Sequence, residues 1–98
     1  MGEPLGRDNN RFLEAIGRVL HYEWDPIGVS DMPEAEGEYD LYIGEIQGML
    51  VRREPKERVV DHLMWIVTDR MGLSGDRRHA ESITDRLIGL RNAIESDA

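Results

Sequence analysis

The sequence predicts a small all-α domain, bundle-like with four helices and an ordered crossing loop between helices 1 and 2. Four stretches carry apolar residues at three- and four-residue spacing, the period of an amphipathic helix. Two-residue alternation of strand type is absent except at Tyr39–Ile43, where the helical period fits better. Ninety-eight residues suffice for one core, but not for a core and a large enclosed substrate cavity together. With 40% apolar and 33% charged residues the composition is that of a folded globular chain, not a disordered acidic tail.

Residues 1–7, with Gly2, Pro4 and Gly6, read as a loose tail. Asp8, Asn9 and Asn10 offer capping oxygens for the free amides of a first helix, about residues 9–24. Its stripe is Phe12, Leu13, Ile16, Val19, Leu20 and Trp24. Gly17 costs this helix about 1 kcal/mol against Ala, and close approach of another helix would explain it. Pro26 ends the helix, because the residue before a proline is pushed out of the α region. The chain then crosses through Gly28, Ser30, Asp31 and Pro33, yet Ile27 and Val29 are apolar. A solvated linker does not need them. The crossing is therefore expected to be pinned to the core by Trp24, Ile27 and Val29, with Met32 as a further anchor.

The second helix is expected over about residues 36–53, with Tyr39, Tyr42, Ile43, Ile46, Met49 and Leu50 inward. Carboxylates crowd its first turn and Arg52 and Arg53 close its last, both matching the helix dipole. Pro55 suits the first turn of a third helix, about 55–72, where its missing amide is no loss. Val59, Val60, Leu63, Met64, Ile66, Val67 and Met71 make this helix apolar over more than half its circumference, so it is expected at the centre. Trp65 falls outside its main stripe. Gly72 suits a left-handed cap with Leu73 as the accompanying apolar contact. A fourth helix, about 76–95, carries Ala80, Ile83, Leu87, Leu90 and Ile94 as its stripe.

Charge is distributed unevenly. Between Val19 and Val51 lie eight carboxylates (Glu23, Asp25, Asp31, Glu34, Glu36, Glu38, Asp40 and Glu45) and no Lys or Arg. The other twelve acids are balanced by all twelve bases, so the formal charge of −8 sits on one third of the chain. Such a surface repels nucleic acid and anionic lipid and suits a basic protein partner. No apolar run reaches the ~20 residues of a membrane span. The first residues also lack the blocks of a secretion signal, so the expected location is cytoplasmic.

Residues for chemistry are sparse. Without cysteine there is no disulfide, thiolate nucleophile or Cys-based zinc site. The acids sit at loop and helix-start positions, where water keeps them solvated, rather than as a buried pair with separated pKa values. Pro26, Ile27 and Val29 occupy places where a calcium loop needs oxygen ligands. His21, His62 and His79 fall on three different helices without metal-ligand spacing. Ser30, Ser74 and Ser82 lack a nucleophile-elbow context, and the glycines form no phosphate loop. Neither catalysis nor a cofactor is expected.

The run W-D-P-I-G-V at Trp24–Val29, then Pro33, E-Y-D at Glu38–Asp40 and M-G-L at Met71–Leu73 resemble a group of short helical bacterial proteins of unknown function. That group carries a W-D-P-I-G…E-Y-D signature, and the resemblance covers about residues 12–73. It implies a small helical fold and brings no reaction with it; some look-alikes accompany bacterial toxins. In the motif, Trp24, Asp25, Pro26 and Tyr39 are expected to act as a structural lock. Asp25 would cap a helix or accept from a ring donor while Trp24 and Tyr39 pack across the loop.

The functional expectation is a protein-interaction module of immunity or antitoxin type. Asp31, Glu34, Glu36, Glu38 and Asp40 would dock on a basic partner such as a toxin or nuclease, with Trp65 as a candidate anchor. A self-associating structural module is the alternative, in which Arg52, Arg53, Lys56 and Arg58 meet the acidic loop of a second copy to form a homodimer. A nucleic-acid mimic and a metal-binding protein are further readings.

Overall fold

A computed structural model describes residues 4–28, 31–35 and 37–97. Helix α1 spans Pro4–Val19 and runs directly into a π turn over Leu20–Trp24. Helix α2 spans Asp40–Val51. Helix α3 spans Lys56–Trp65 and also runs into a π turn, Ile66–Arg70. Helix α4 spans Arg77–Asp97. The fold is all-α, and among the described residues there is no strand.

Helix α1 begins earlier than the sequence suggests. Pro4 reads as a breaker, yet at a first helical position its ring presets the backbone angle and its missing amide is not needed. Helix α2 begins later, at Asp40. The preceding segment instead forms successive tight turns: the amides of Ala35, Glu38, Asp40 and Tyr42 each bond the carbonyl three residues back. This tight winding includes a short 3-10 turn at Pro33–Ala35 and takes up the amides an earlier α-helix would have used.

Packing follows the apolar stripes. Phe12, Ile16, Val19, Leu20, Ile46, Leu50, Leu63, Ile66 and Leu87 are all buried in one core. A Cβ at Gly17 would stand 3.2 Å from the Ile43 side chain, so the glycine lets α2 approach α1. The central position belongs to α4, not α3. Helix α4 packs on α1, α2 and α3, whereas the backbones of α1 and α3 do not approach each other closely among the described residues. Met64 of the α3 stripe and Met71 beyond it are only partly buried, and Trp65 beside the stripe is 45% exposed, so α3 is less enclosed than its composition suggests.

Polar contacts from α4 fasten the ends of its neighbours. Arg91 donates to the Leu50 carbonyl at the end of α2 (3.1 Å), and Arg86 pairs with Glu23 in the first π turn (3.2 Å). Within α4 the buried Thr84 hydroxyl donates to the Ala80 carbonyl at 2.8 Å, so no orphan group is left there. Among the described residues no helix is long and apolar enough to cross a membrane.

Candidate functional site

The crossing between α1 and α2 is organised around one hydroxyl. At the end of the first π turn the Asp25 amide reaches back five residues to the Leu20 carbonyl (2.9 Å). Asp25 itself is left-handed, with φ 39° and ψ 59°. That conformation crowds the Cβ of an L-residue, though Asp tolerates it better than most. Pro26 then prevents the helix from resuming. The break leaves the Asp25 carboxylate and the Ile27 amide to be satisfied, and the Tyr39 hydroxyl serves both. It donates to Asp25 Oδ1 and accepts from the Ile27 N–H, each at 3.1 Å.

Tyr39 is only 2% exposed. Burial of the phenol, with the neighbouring Asp25 carboxylate acting in the same sense, pushes its pKa up from 10.0 to about 12. Its ring packs on Trp24 at 5.4 Å between centroids, and Trp24 also meets Tyr42 edge-on at 6.4 Å. The structure thus gathers Trp24, Asp25, Pro26 and Tyr39 into one unit. Of the anchors expected from the sequence Trp24 is part of it, but Ile27 and Met32 are not. Ile27 is 44% exposed and Met32 45% exposed, because the loop is held through the Ile27 amide and not through these side chains. Val29 lies outside the described residues.

The acidic positions form the outer side of this crossing. Asp31, Glu34, Glu38 and Asp40 are exposed, and Glu36 lies outside the described residues. Among the described residues the ion pairs are Arg52–Glu54, Arg53–Glu95, Lys56–Asp85, Arg77–Asp61, Arg77–Glu81 and Arg86–Glu23, and none reaches those four acids. Leu41 stands beside them at 74% exposure. Of the expected counter-patch, Arg52, Arg53 and Lys56 already have partners in their own chain, while Arg58 is exposed and in no ion pair among the described residues.

Trp65 belongs to a separate place on α3. Its ring stacks on His62 at 5.8 Å and carries the Arg70 guanidinium 5.8 Å from its centroid. Leu73 does not complete the cap after Gly72 with a buried contact; it stays 39% exposed while its amide closes onto the Val67 carbonyl at 2.9 Å. His21 is fully buried, and neither ring nitrogen has a hydrogen-bond partner among the described residues.

His79 and Asp76 escaped the sequence reading as site residues. The His79 ring bonds the Trp24 carbonyl through Nε2 at 3.0 Å, while Asp76 Oδ1 accepts from the His79 amide at 3.2 Å as an N-cap of α4. Together they edge a cavity of about 260 Å³ that also reaches Trp24 and Asp25. The available signal was Asp76 three residues before a histidine at a helix start. Nothing local said that the partner of that histidine would be a carbonyl of the first helix.

Compared with protein-family models, with curated proteins and with solved structures, the chain matches none of them.

Proposed function

We propose that this chain is a small acidic interaction module whose crossing loop docks on a basic surface of another protein. One observation carries the reading. Asp31, Glu34, Glu38 and Asp40 are exposed and in no ion pair among the described residues, whereas Arg52, Arg53, Lys56, Arg77 and Arg86 are matched internally. A concentrated, unmatched charge steers a partner of opposite sign and orients it on encounter. The exposed Ile27, Met32 and Leu41 in the same segment supply apolar area that a merely solubilising face does not need.

An inhibitor acting in the cytoplasm on a nuclease or other toxin is the concrete form of this reading, since such targets carry a basic substrate groove. Self-association is less well supported, because it asks Arg52 and Arg53 to leave Glu54 and Glu95. The test compares wild type with Asp31→Lys/Glu34→Lys/Glu38→Lys as baits in host lysate, followed by association kinetics with the captured protein. A protein held only by the wild type is expected, with an on-rate that falls about tenfold or more as salt rises to physiological levels. Equal capture by both baits, or a flat salt profile, rejects the docking role of the loop.

A further inference from the structure

Resting on that reading of a basic protein partner, we infer that the cavity between the first π turn and the start of α4 is a socket for one arginine side chain of the partner. The cavity measures about 260 Å³, below the ~300–1,000 Å³ of pockets that enclose whole small-molecule ligands. One long side chain suits it better than a cofactor. Leu63, Met64 and Val67 supply apolar wall for an aliphatic stem.

The polar part of the lining contains acceptors. Asp25 and Asp76 are both among the lining residues, and each bears a carboxylate. The Trp24 carbonyl can only accept, so His79 Nε2 donates in their 3.0 Å bond. The same bond ties α4 to the end of α1 and holds the two carboxylate-bearing segments on one cavity. A guanidinium, all donors and always charged, complements this set, and its planar fork can engage carboxylate oxygens in pairs. An ammonium offers the charge without the fork, and a neutral amide offers donors without the charge.

The probes are n-propylguanidinium, propylammonium and propylurea, titrated against the full chain in a Trp65→Phe background, so that Trp24, which lines the cavity, is the only indole reporting. Saturable Trp24 fluorescence change with the guanidinium is expected, weaker change with the ammonium and none with the urea. The comparison protein adds Asp25→Asn and Asp76→Asn. Asn remains a good N-cap, tolerates a left-handed backbone and keeps an oxygen for the Tyr39 hydroxyl, so the fold is retained while both charges go. Circular dichroism checks that retention, and guanidinium binding is expected to weaken about tenfold or more, as befits loss of charge-assisted hydrogen bonds.

Equal binding by the Asn variant, equal binding of the urea, preference for the ammonium, or no saturation with the guanidinium would each overturn the socket. Dissociation of a wild-type dimer by the guanidinium would hand the cavity to a second copy and also overturn it. The Asn variant leaves Asp31, Glu34, Glu38 and Asp40 in place, so undiminished partner capture by it would sink the socket alone. Undiminished capture by the loop-reversal variant would instead sink the docking role of the loop.

Discussion

Helices α1 and α3 end alike and are held by different means. Each runs into a π turn in which an amide reaches back five residues, Asp25 to Leu20 at 2.9 Å and Met71 to Ile66 at 3.0 Å. Each then reverses through a left-handed residue, Asp25 at φ 39° and Gly72 at φ 67°. Gly72 adopts this conformation without steric cost. Asp25 does not, and a left-handed L-residue costs on the order of 1–2 kcal/mol. What offsets it is the hydroxyl of Tyr39, fourteen residues on. A reversal left to glycine commits the chain to nothing further. One made with Asp and Pro is bound to a distant phenol, so the loop path is set by side-chain chemistry. The two tryptophans repeat the contrast: Trp24, inside the first π turn, is 3% exposed, and Trp65, just before the second, is 45% exposed.

The largest expected effect tests that contrast directly. Trp24→Ala should cost about 3–5 kcal/mol in urea unfolding, as for a truncated buried aromatic. Trp65→Ala should cost about 1 kcal/mol or less, as at a half-exposed position outside the core. Comparable losses would mean that the two helix ends are equally embedded.

Next in size is Tyr39→Phe, which keeps the ring against Trp24 but removes the hydroxyl that bonds the Asp25 carboxylate and the Ile27 amide. It should cost about 1–3 kcal/mol. Tyr39 also predicts an alkaline limit. Its folded pKa lies above its unfolded one, so its contribution is complete below pH 10 and is lost as pH rises towards about 12. The phenolate absorbance of wild type minus Tyr39→Phe should rise with a midpoint near the upper value, accompanied by loss of the near-ultraviolet signal of Trp24. A midpoint at or below 10 would remove the buried, bonded phenol from the account.

Smallest are the backbone substitutions. Gly72→Ala should cost about 1 kcal/mol, since Ala resists the left-handed backbone. Asp25→Gly should destabilise the wild type, where it removes the carboxylate bonded to Tyr39, and should cost about 1 kcal/mol less in the Tyr39→Phe protein, where that bond is already gone. The same cost in both backgrounds would show that Asp25 and Tyr39 act independently.

Much of the helical fold was legible because burial on a helix follows a local period. The spacing of Phe12, Ile16, Val19 and Leu20, or of Ala80, Ile83 and Leu87, marks an inner face wherever the helix docks, and all of these residues are buried. The motif at Trp24–Pro26 was legible as a helix stop for an equally local reason, the constraint proline places on its predecessor. The crossing loop was not legible in the same way. Ile27 and Met32 look like anchors by composition, but a loop side chain has no period to aim it, and here the backbone amide of Ile27 is what is held.

The uneven charge and the helical stripes are properties of neighbouring residues, and the sequence by itself determined both. Tertiary structure alone decided the rest. It placed α4 rather than α3 among the other helices, brought the Tyr39 hydroxyl to Asp25, and set His79 of α4 against the Trp24 carbonyl to close one side of a cavity. The physical reason is common to all three. A hydrogen bond or a packed face between residues dozens of positions apart depends on which surfaces meet after the stripes are buried, and no local spacing carries that information.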